Sequence, residues 1–212
     1  MIIHLKTLTK EAKKLLPSLN EFKGDFYLAG GTGLSLLIGH RVSVDFDLFT
    51  EKTIKKSLIT KVNKIFKDFP LQIMVSHEKE LTVLVNSVKI TFLHYPFPLV
   101  APLRKTEYVS ILSAKEILAT KAYTIGRRDE MKDYIDLYCG LKKKIASLKE
   151  IIDSALKKFG SEFNDRIFLE QLLYFDDIVE TDIIMFDFKK PTKKELLNFF
   201  SKEVNKLKMK NY

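Results

Sequence analysis

The stretch from residue 26 to residue 49 constrains the fold more than any other part of the chain. It reads FYLAGGTGLSLLIGHRVSVDFDLF, a short aromatic-rich apolar run followed by glycines, leucines and a second extended run. Short apolar runs bounded by glycine are typical of buried strands. We therefore predict a strand at 26–29, a helix that Thr32 caps and Gly39 ends, and a second strand at 41–49.

Two acidic side chains make the second strand a candidate metal site. Successive side chains of a strand point to opposite faces, so Asp45 and Asp47 should share one face. Paired carboxylates are costly without a counter-charge, and a hard cation such as Mg²⁺ or Mn²⁺ prefers oxygen ligands. The preceding glycine turn offers backbone N–H groups to phosphate oxygens. An exposed edge strand after an ordinary turn is the structural alternative, and either half of the pattern alone favours it.

Composition limits the class of protein and its partners. The 212 residues suffice for one substantial domain or two small ones, and 46% hydrophobic with 30% charged residues fits a globular protein. The net charge of +9 favours contact with a polyanion such as RNA, DNA or nucleotide, although solvated lysines alone also explain it. The single cysteine, Cys139, excludes an internal disulfide and a Cys-based zinc cluster. With no apolar run near the ~18–20 residues of a membrane span and no secretory signal pattern, we expect a cytoplasmic protein.

Periodicity along the chain predicts an α+β fold. An amphipathic helix is expected at 53–67, and strands are expected at 71–76, 81–86 and 88–94. The resulting β–α–β–α–β–β–β order predicts a small mixed β-sheet with backing helices. After three prolines the pattern becomes helical, with helices expected to begin near 113, 131, 147, 164 and 193. We therefore divide the chain into an α/β core at 1–110 and a C-terminal helical module at 111–212.

A second group of charged residues lies in the helical part. Lys121 and Arg128 are seven residues apart and would lie within about 20° of one helix face if the helix ran that far. Asp133 and Asp136 would be neighbours on the following helix. Basic groups on a fixed element are the usual way to stabilise a triphosphate and its leaving pyrophosphate. Spacing alone favours a surface salt-bridge network instead.

Taken together, these motifs resemble those of the AbiEii/AbiGii family, toxin-type nucleotidyltransferases of the DNA polymerase beta superfamily. The first motif is GGTGLSLLIGHRVSVDFDLF, at residues 30–49. The later motifs are ILATK at 117–121, Arg128, and KDYIDL at 132–137. The resemblance covers about residues 26–141, weakly between 50 and 110, and the chain after 141 carries no such motif.

The resemblance implies a role for each matching residue. Asp45 and Asp47 would hold the divalent metal and act as catalytic carboxylates. Lys121 would contact the nucleotide phosphates, and Asp133 would be an active-site acid that serves as the base or orients Lys121. Asp136 would be a support or an acceptor contact, so the helical module would complete the active site. The residues expected to bind the nucleotide are Gly30, Gly31, Thr32, Arg41, Ser43 and Arg128.

One position departs from the superfamily pattern. A third carboxylate usually stands on a neighbouring strand facing the first two, and here the strand at 88–94 offers Thr91 on the face of Lys89. Water or substrate could fill the gap, or Glu78 or Glu80 could supply the missing acid. The departure leaves open a protein that binds nucleotide with little turnover.

The function implied by the resemblance is transfer of a nucleoside monophosphate from an NTP to an acceptor hydroxyl, with release of pyrophosphate. The acceptor implied is RNA, notably tRNA, while a protein hydroxyl or a small molecule stays possible. The biological role implied is a toxin-antitoxin or phage-defence toxin with a cognate antitoxin. A catalytically weak or inactive nucleotide- or RNA-binding module of the same fold is the alternative, and a plain interaction protein is a third reading.

Overall fold

The computed structural model of the protein describes residues 3–210, apart from the side chain of residue 210. The chain divides into two compact units, Met1–Ser113 and Ala114–Tyr212. The helices of the first unit are α1 (Lys10–Leu15), α2 (Gly30–Ile38) and α3 (Ser57–Ile65). Its strands are β1 (Tyr27–Leu28), β2 (Phe46–Thr50), β3 (Leu71–His77), β4 (Glu80–Val85) and β5 (Val88–His94).

The strands of the first unit form one mixed sheet. Within the described part of the chain it has five strands in the order β1-β2-β5-β4-β3. β2 and β5 run parallel, whereas the other neighbouring pairs run antiparallel. Alternation along β2 and β5 buries one face completely, through Phe46, Leu48, Ile90 and Phe92. The predicted α+β class, with a mixed sheet and helices, is confirmed.

The start of α2 differs from the sequence prediction. The helix begins at Gly30, with Ala29 as its N-cap residue, so Thr32 lies inside the first turn and is not the cap. Gly30 takes a φ of +62°, a conformation that glycine adopts without steric cost. Gly39, in the left-handed region, ends the helix as predicted.

The second unit is helical. Its helices are α4 (Ala114–Thr124), α5 (Met131–Lys142), α6 (Leu148–Phe159), α7 (Asp165–Gln171) and α8 (Lys193–Lys210). The predicted capping box of α6 is present, because Ser147 accepts from the Glu150 N–H while the Glu150 carboxylate accepts from the Ser147 N–H. The core of this unit includes the fully buried aromatic side chains of Tyr134, Phe168 and Phe200. None of the helices in the described range 3–210 is both long and apolar enough to cross a membrane.

Candidate active site

The N-terminus of α2 lies directly against the carboxylate of Asp47. The Ala29 N–H donates to the Asp47 carbonyl oxygen at 2.9 Å, which fixes the start of α2 to β2. A Cβ added to Gly30 would lie 2.1 Å from Asp47 Oδ2, so only glycine allows this approach. A carboxylate at a helix N-terminus is favourable because the helix dipole is positive there. The glycine pair therefore brings backbone N–H groups and an acidic side chain to one place.

Thr32 ties α2 to the loop that carries Asp45. The Thr32 hydroxyl donates to the Asp45 carbonyl oxygen. The Ser43 hydroxyl lies 2.7 Å from the Thr32 hydroxyl. A hydroxyl has one hydrogen, so Ser43 must donate to Thr32. Thr32 and Ser43 are both buried. Their hydroxyls thus position the segment that precedes β2, a contact that the glycine motif did not predict.

Asp45 lies one residue before β2 and is half-buried. Its Oδ2 atom is 3.5 Å from Lys89 Nζ, and both side chains are partly exposed. An ion pair of this exposure is weak, because solvent screens it. Arg41 is buried and donates from Nη1 to the Val42 carbonyl oxygen at 3.1 Å. Arg41, one of the residues that the resemblance assigns to nucleotide binding, therefore contacts the backbone of its neighbour Val42.

Thr91 stands beside Asp47, as the sequence predicts. The two residues are paired in the parallel register of β2 and β5, and Thr82 of β4 is paired with Thr91 on the other side. The Thr82 hydroxyl donates to Glu80 Oε1 at 2.6 Å and lies 3.3 Å from the Thr91 hydroxyl. Glu80 opens β4, whereas Glu78 is exposed in the turn before it. Of the two acids considered for this side of the sheet, Glu80 is the one linked to Thr91.

The ligand atoms gathered here are those of a hard divalent cation. Asp45 and Asp47 would hold it through carboxylate oxygens, and the absence of a Cβ at Gly30 lets the Asp47 carboxylate approach the start of α2. Within the described residues, no group of three or more His, Cys, Asp or Glu side chains lies close enough to hold a metal. The residues present therefore fit a metal that substrate oxygens or hydroxyls help to complete.

The second unit contains a buried ionic cluster, which we define as Lys121, Arg128, Asp133 and Asp136. Lys121 Nζ lies 2.6 Å from Asp133 Oδ1 and 2.9 Å from Asp136 Oδ2. Arg128 binds both oxygens of Asp133, at 2.6 Å from Nε and 2.8 Å from Nη2. The side chains of Lys121, Asp133 and Asp136 are at most 6% exposed, whereas that of Arg128 is 51% exposed. The cluster carries two positive and two negative charges.

Asp133 stays ionised in spite of its burial. Burial alone would raise the pKa of this carboxyl, but Lys121 and the two hydrogen bonds from Arg128 hold its pKa below the ordinary value. The Thr124 hydroxyl lies 3.2 Å from Oδ2 and 2.9 Å from the Lys121 carbonyl oxygen, and its single hydrogen serves these two acceptors. Bidentate Arg–carboxylate pairs are among the strongest hydrogen-bonded pairs in proteins. The cluster is therefore rigid, with one partly exposed guanidinium at its edge.

The geometry that assembles the cluster differs from the helical spacing considered from sequence. α4 ends at Thr124, and Gly126 takes a φ of +80°, so Arg128 does not continue that helix. Arg128 instead reaches Asp133 from the turn before α5. Asp133 and Asp136 are neighbours on α5 as predicted. The surface salt-bridge interpretation is wrong for these two aspartates, because both are buried.

Sequence reasoning missed two further groups. Lys158 and Glu116 form a second buried ion pair in the helical unit at 2.7 Å. Their separation of 42 residues gave no local signal. Thr82 was also missed, because the periodicity of a predicted strand gives no functional signal for a threonine within it. Its significance depends on the cross-strand register, which a single sequence does not supply.

The mixed sheet places an aspartate against the N-terminus of a glycine-initiated helix, and comparisons with known proteins identify the family to which such a chain belongs. Residues 14–207 match the family described as nucleotidyl transferase AbiEii toxin, type IV TA system. The chain therefore belongs to the AbiEii family and is a nucleotidyltransferase.

Individual relatives give the same picture at the level of the fold. An uncharacterized protein of Aquifex aeolicus (strain VF5), aq_aa25, is 32% identical over 205 residues, which cover 94% of this chain and 96% of that protein. A crystal structure from H. pylori, whose description proposes a nucleotidyltransferase, aligns with a TM-score of 0.58 at 16% identity, over 93% of this chain and 95% of that one. The crystal structure of JHP933 from Helicobacter pylori aligns with a TM-score of 0.57 at 16% identity, over 96% of each chain. At this identity the two structures show the fold.

Proposed function

We propose that the protein transfers a nucleoside monophosphate from an NTP to a hydroxyl of RNA, with tRNA as the particular acceptor, and that the reaction depends on Mg²⁺ or Mn²⁺. The observation that carries the proposal is the approach of Gly30 to the Asp47 carboxylate, where a Cβ would lie 2.1 Å from Oδ2. This approach joins an anion-binding helix N-terminus to a metal-binding side chain. A triphosphate with its cation needs both.

The residues of the first unit have separate roles in this reaction. The N–H groups of Gly30, Gly31 and Thr32 belong to the first turn of α2, where backbone donors point out of the helix toward phosphate oxygens. Thr32 and Ser43 hold the segment that carries Asp45. A bound divalent cation would neutralise charge that develops on the phosphates. The acceptor hydroxyl forms a new bond to the α-phosphorus, the bond to pyrophosphate breaks, and the hydroxyl proton passes to a base.

For the second unit we propose that Arg128 contacts phosphate and that Lys121, Asp133 and Asp136 hold it in place. The partly exposed guanidinium of Arg128 supports this division, because the Lys121 ammonium is buried between two carboxylates. Removing Arg128 should raise KM for the nucleotide or for the RNA. Expressed as a free energy, this change should be larger than the loss in the free energy of unfolding. Arg128→Lys keeps the charge but not the bidentate geometry and should give an intermediate KM.

Charge and family support the choice of acceptor and partner. The net charge of +9 favours a polyanionic acceptor, and the family is one of type IV toxin-antitoxin systems. We propose accordingly that the protein acts as a toxin or phage-defence factor in the cytoplasm and that a cognate antitoxin controls it. Co-expression with the antitoxin should relieve growth inhibition, and Asp47→Ala should relieve it without the antitoxin.

The direct test incubates purified protein with Mg²⁺, each α-labelled NTP in turn, and total RNA that includes tRNA. Label should enter RNA with at least one NTP in the wild-type protein and not in Asp47→Ala. Asp153→Ala removes an exposed aspartate of α6 and is the matched control, which should transfer label like the wild type. Label in the protein itself would replace RNA by a protein hydroxyl as the acceptor.

A second candidate function is nucleotide or RNA binding with little turnover. Thr91, which stands where a third acid is expected, favours it. Nucleotide binding by calorimetry with no transfer in any reaction would support this candidate. In that case Thr91→Asp should create transfer activity, whereas an active wild-type protein that Asp47→Ala inactivates would exclude it.

A further inference from the structure

The second unit contains a groove in which aromatic rings and lysines lie side by side. It has a volume of about 580 Å³, within the range of roughly 300–1,000 Å³ that is usual for binding pockets. The groove is formed by α5, by α8 and by the loop that precedes α8. We call it the aromatic groove and define it by Tyr138, Lys142, Phe188, Lys189, Phe199 and Lys202. None of these residues belongs to the sequence motifs or to the ionic cluster.

Three aromatic side chains form one wall of the aromatic groove. The ring centroid of Tyr138 on α5 lies 4.8 Å from that of Phe199 on α8 and 6.4 Å from that of Phe188 in the loop. Both contacts are edge to face, which is a favourable arrangement of aromatic rings. Tyr138 is buried, whereas Phe188 and Phe199 are half-buried. The two phenylalanines therefore present aromatic surface to the groove, and Tyr138 supports them from behind.

The ammonium group of Lys142 is held among these rings. Its Nζ donates to the Tyr138 hydroxyl at 2.6 Å and lies 4.9 Å from the centroid of the Tyr138 ring. The same atom lies 4.3 Å from the centroid of the Phe188 ring. Cation–π contacts fix the position of an ammonium without neutralising its charge. An ammonium has three hydrogens, so Lys142 keeps donors for an anionic ligand at a place that is already fixed.

The aromatic groove has an excess of positive charge. Within residues 3–210, three of its exposed lysines form no salt bridge; they are Lys142, Lys189 and Lys202. The acids that also line the groove already have partners, because Asp187 is paired with Lys143 and Glu195 caps the start of α8. Lys190 is paired with Glu180. The charges left to attract a ligand are therefore those of the three lysines.

We infer that the aromatic groove binds a single-stranded segment of RNA, with a base packed against Phe188 and Phe199 and with phosphates bound by the three lysines. This inference rests on the proposed function, in which RNA is the acceptor. Aromatic surface beside cations is the combination with which proteins hold single strands, because every base has a face to stack and every linkage carries a charge. The groove binds the acceptor and takes no part in the chemical step.

Substitutions of the phenylalanines test the contact with a base. The assay is fluorescence anisotropy with labelled oligo(U) and oligo(A) RNAs of about 12 nucleotides, over a series of salt concentrations. Phe188→Leu and Phe199→Leu should each weaken binding about fivefold or more, with no change in the salt dependence. Phe186→Leu is the matched control, because it makes the same change at an exposed position of the same loop, outside the groove. It should bind within about twofold of the wild type.

Substitutions of the lysines test the contact with phosphates. Lys189→Gln and Lys202→Gln should each reduce the slope of log affinity against log salt by about 0.7, because each contact to a single strand releases a counterion. Both side chains are exposed, so neither change should lower the thermal unfolding temperature. Lys157→Gln, at an exposed position of α6 outside the groove, is the matched control and should leave the slope unchanged. The lysine variants therefore test the inference even if a phenylalanine variant folds poorly.

A glutamate peptide of about the same length separates RNA from an acidic protein segment, because it carries charge without bases. It should bind more weakly than either RNA, with no dependence on Phe188 or Phe199. Binding as tight as that of RNA, with the same dependence on the phenylalanines, would assign the groove to a peptide and overturn the inference.

The transfer assay distinguishes failure of the groove from failure of the proposed function. The groove variants should raise KM for RNA while kcat and KM for the NTP stay unchanged. If they bind RNA like their controls while transfer into RNA proceeds and depends on Asp47, the inference is wrong and the proposed function stands. If they lose RNA binding but the wild-type protein transfers no label into RNA, the groove stands as an RNA site and the proposed reaction is wrong.

Discussion

The two pairs of aspartates in this protein look alike in sequence and differ in their surroundings. Asp45 and Asp47 of the first unit are half-buried, among backbone N–H groups, hydroxyls and one weakly paired lysine. Asp133 and Asp136 of the second unit are buried and share Lys121, and Asp133 also binds Arg128. Under the proposed function the first pair takes a cation from solution, whereas the second pair already has Lys121 and Arg128 as its cations.

The difference in surroundings indicates whether each pair of aspartates serves mainly the stability of the fold or the activity. A buried carboxylate that is paired with cationic side chains of the same protein bears mainly on the stability of the fold. Removing one charge of such a cluster leaves the others buried without compensation. The charge of a half-buried carboxylate beside a helix N-terminus is compensated only in part by the protein, and a ligand supplies the remaining interactions. Stability should therefore depend on the ionic cluster, and nucleotidyl transfer should depend on Asp47.

The largest expected effect comes from removing the cation that both buried aspartates share. Lys121→Met should lower the free energy of unfolding by about 3–5 kcal/mol, because two carboxylates stay buried with less compensation. Urea unfolding measures it. Lys115→Met on the same helix breaks an exposed ion pair with Glu150 and should cost about 1 kcal/mol or less. Equal losses in the two variants would show that burial does not set the value of these charges.

The next effect separates activity from stability. Asp47→Asn should lower the rate of nucleotidyl transfer at least about 100-fold, while the free energy of unfolding changes by about 1 kcal/mol or less. Asp136→Asn, at a fully buried position 2.9 Å from Lys121, should instead lower stability. Transfer assays and urea unfolding on both variants check the pair. If Asp47→Asn unfolded the chain as readily as Asp136→Asn does, the two aspartate pairs would not differ in role.

How much of this the sequence predicts depends on the range of the interactions. Most strands and helices follow from local periodicity, and β5 has the predicted bounds of 88–94, whereas β2 begins at Phe46 and not at the predicted residue 41. The start of α2 does not, since Gly30 begins the helix where its backbone meets Asp47, seventeen residues later in the chain. The burial of Lys121 and the turn at Gly126 also depend on tertiary contacts.

The candidate site divides in the same way. Asp45, Asp47 and Gly30 were predicted from one continuous stretch, and Thr91 was predicted from strand alternation together with the family resemblance. The pairing of Thr82 with Thr91 depends on the register between β4 and β5, which a single sequence leaves open.

A smaller effect tests the contact between α2 and Asp47. Gly30→Ala should cost about 1–2 kcal/mol of stability because of its φ of +62°, and the new Cβ should also displace the Asp47 carboxylate and lower transfer up to about 100-fold. Gly24→Ala is the matched control, since Gly24 also has a positive φ but nothing lies within 4 Å of its added Cβ. Only the Gly30 variant should lose activity. Equal activity in the two variants would contradict a role for this contact in the site.

The smallest effect concerns pH and belongs to the ionic cluster alone. The pKa of Asp133 in the folded protein lies below its ordinary value. Burial raises this pKa, but the opposing effect of Lys121 and Arg128 is larger. Its contribution to stability is therefore complete above the unfolded pKa of about 3.9 and is lost as the pH falls below it toward the folded pKa. Urea unfolding between about pH 6 and pH 2 should show a shallower loss of stability in Asp133→Asn than in the wild type, by at most one proton. Asp68→Asn, at an exposed position, is the control. If both variants changed the slope equally, the cations of the cluster would not be what keeps Asp133 ionised.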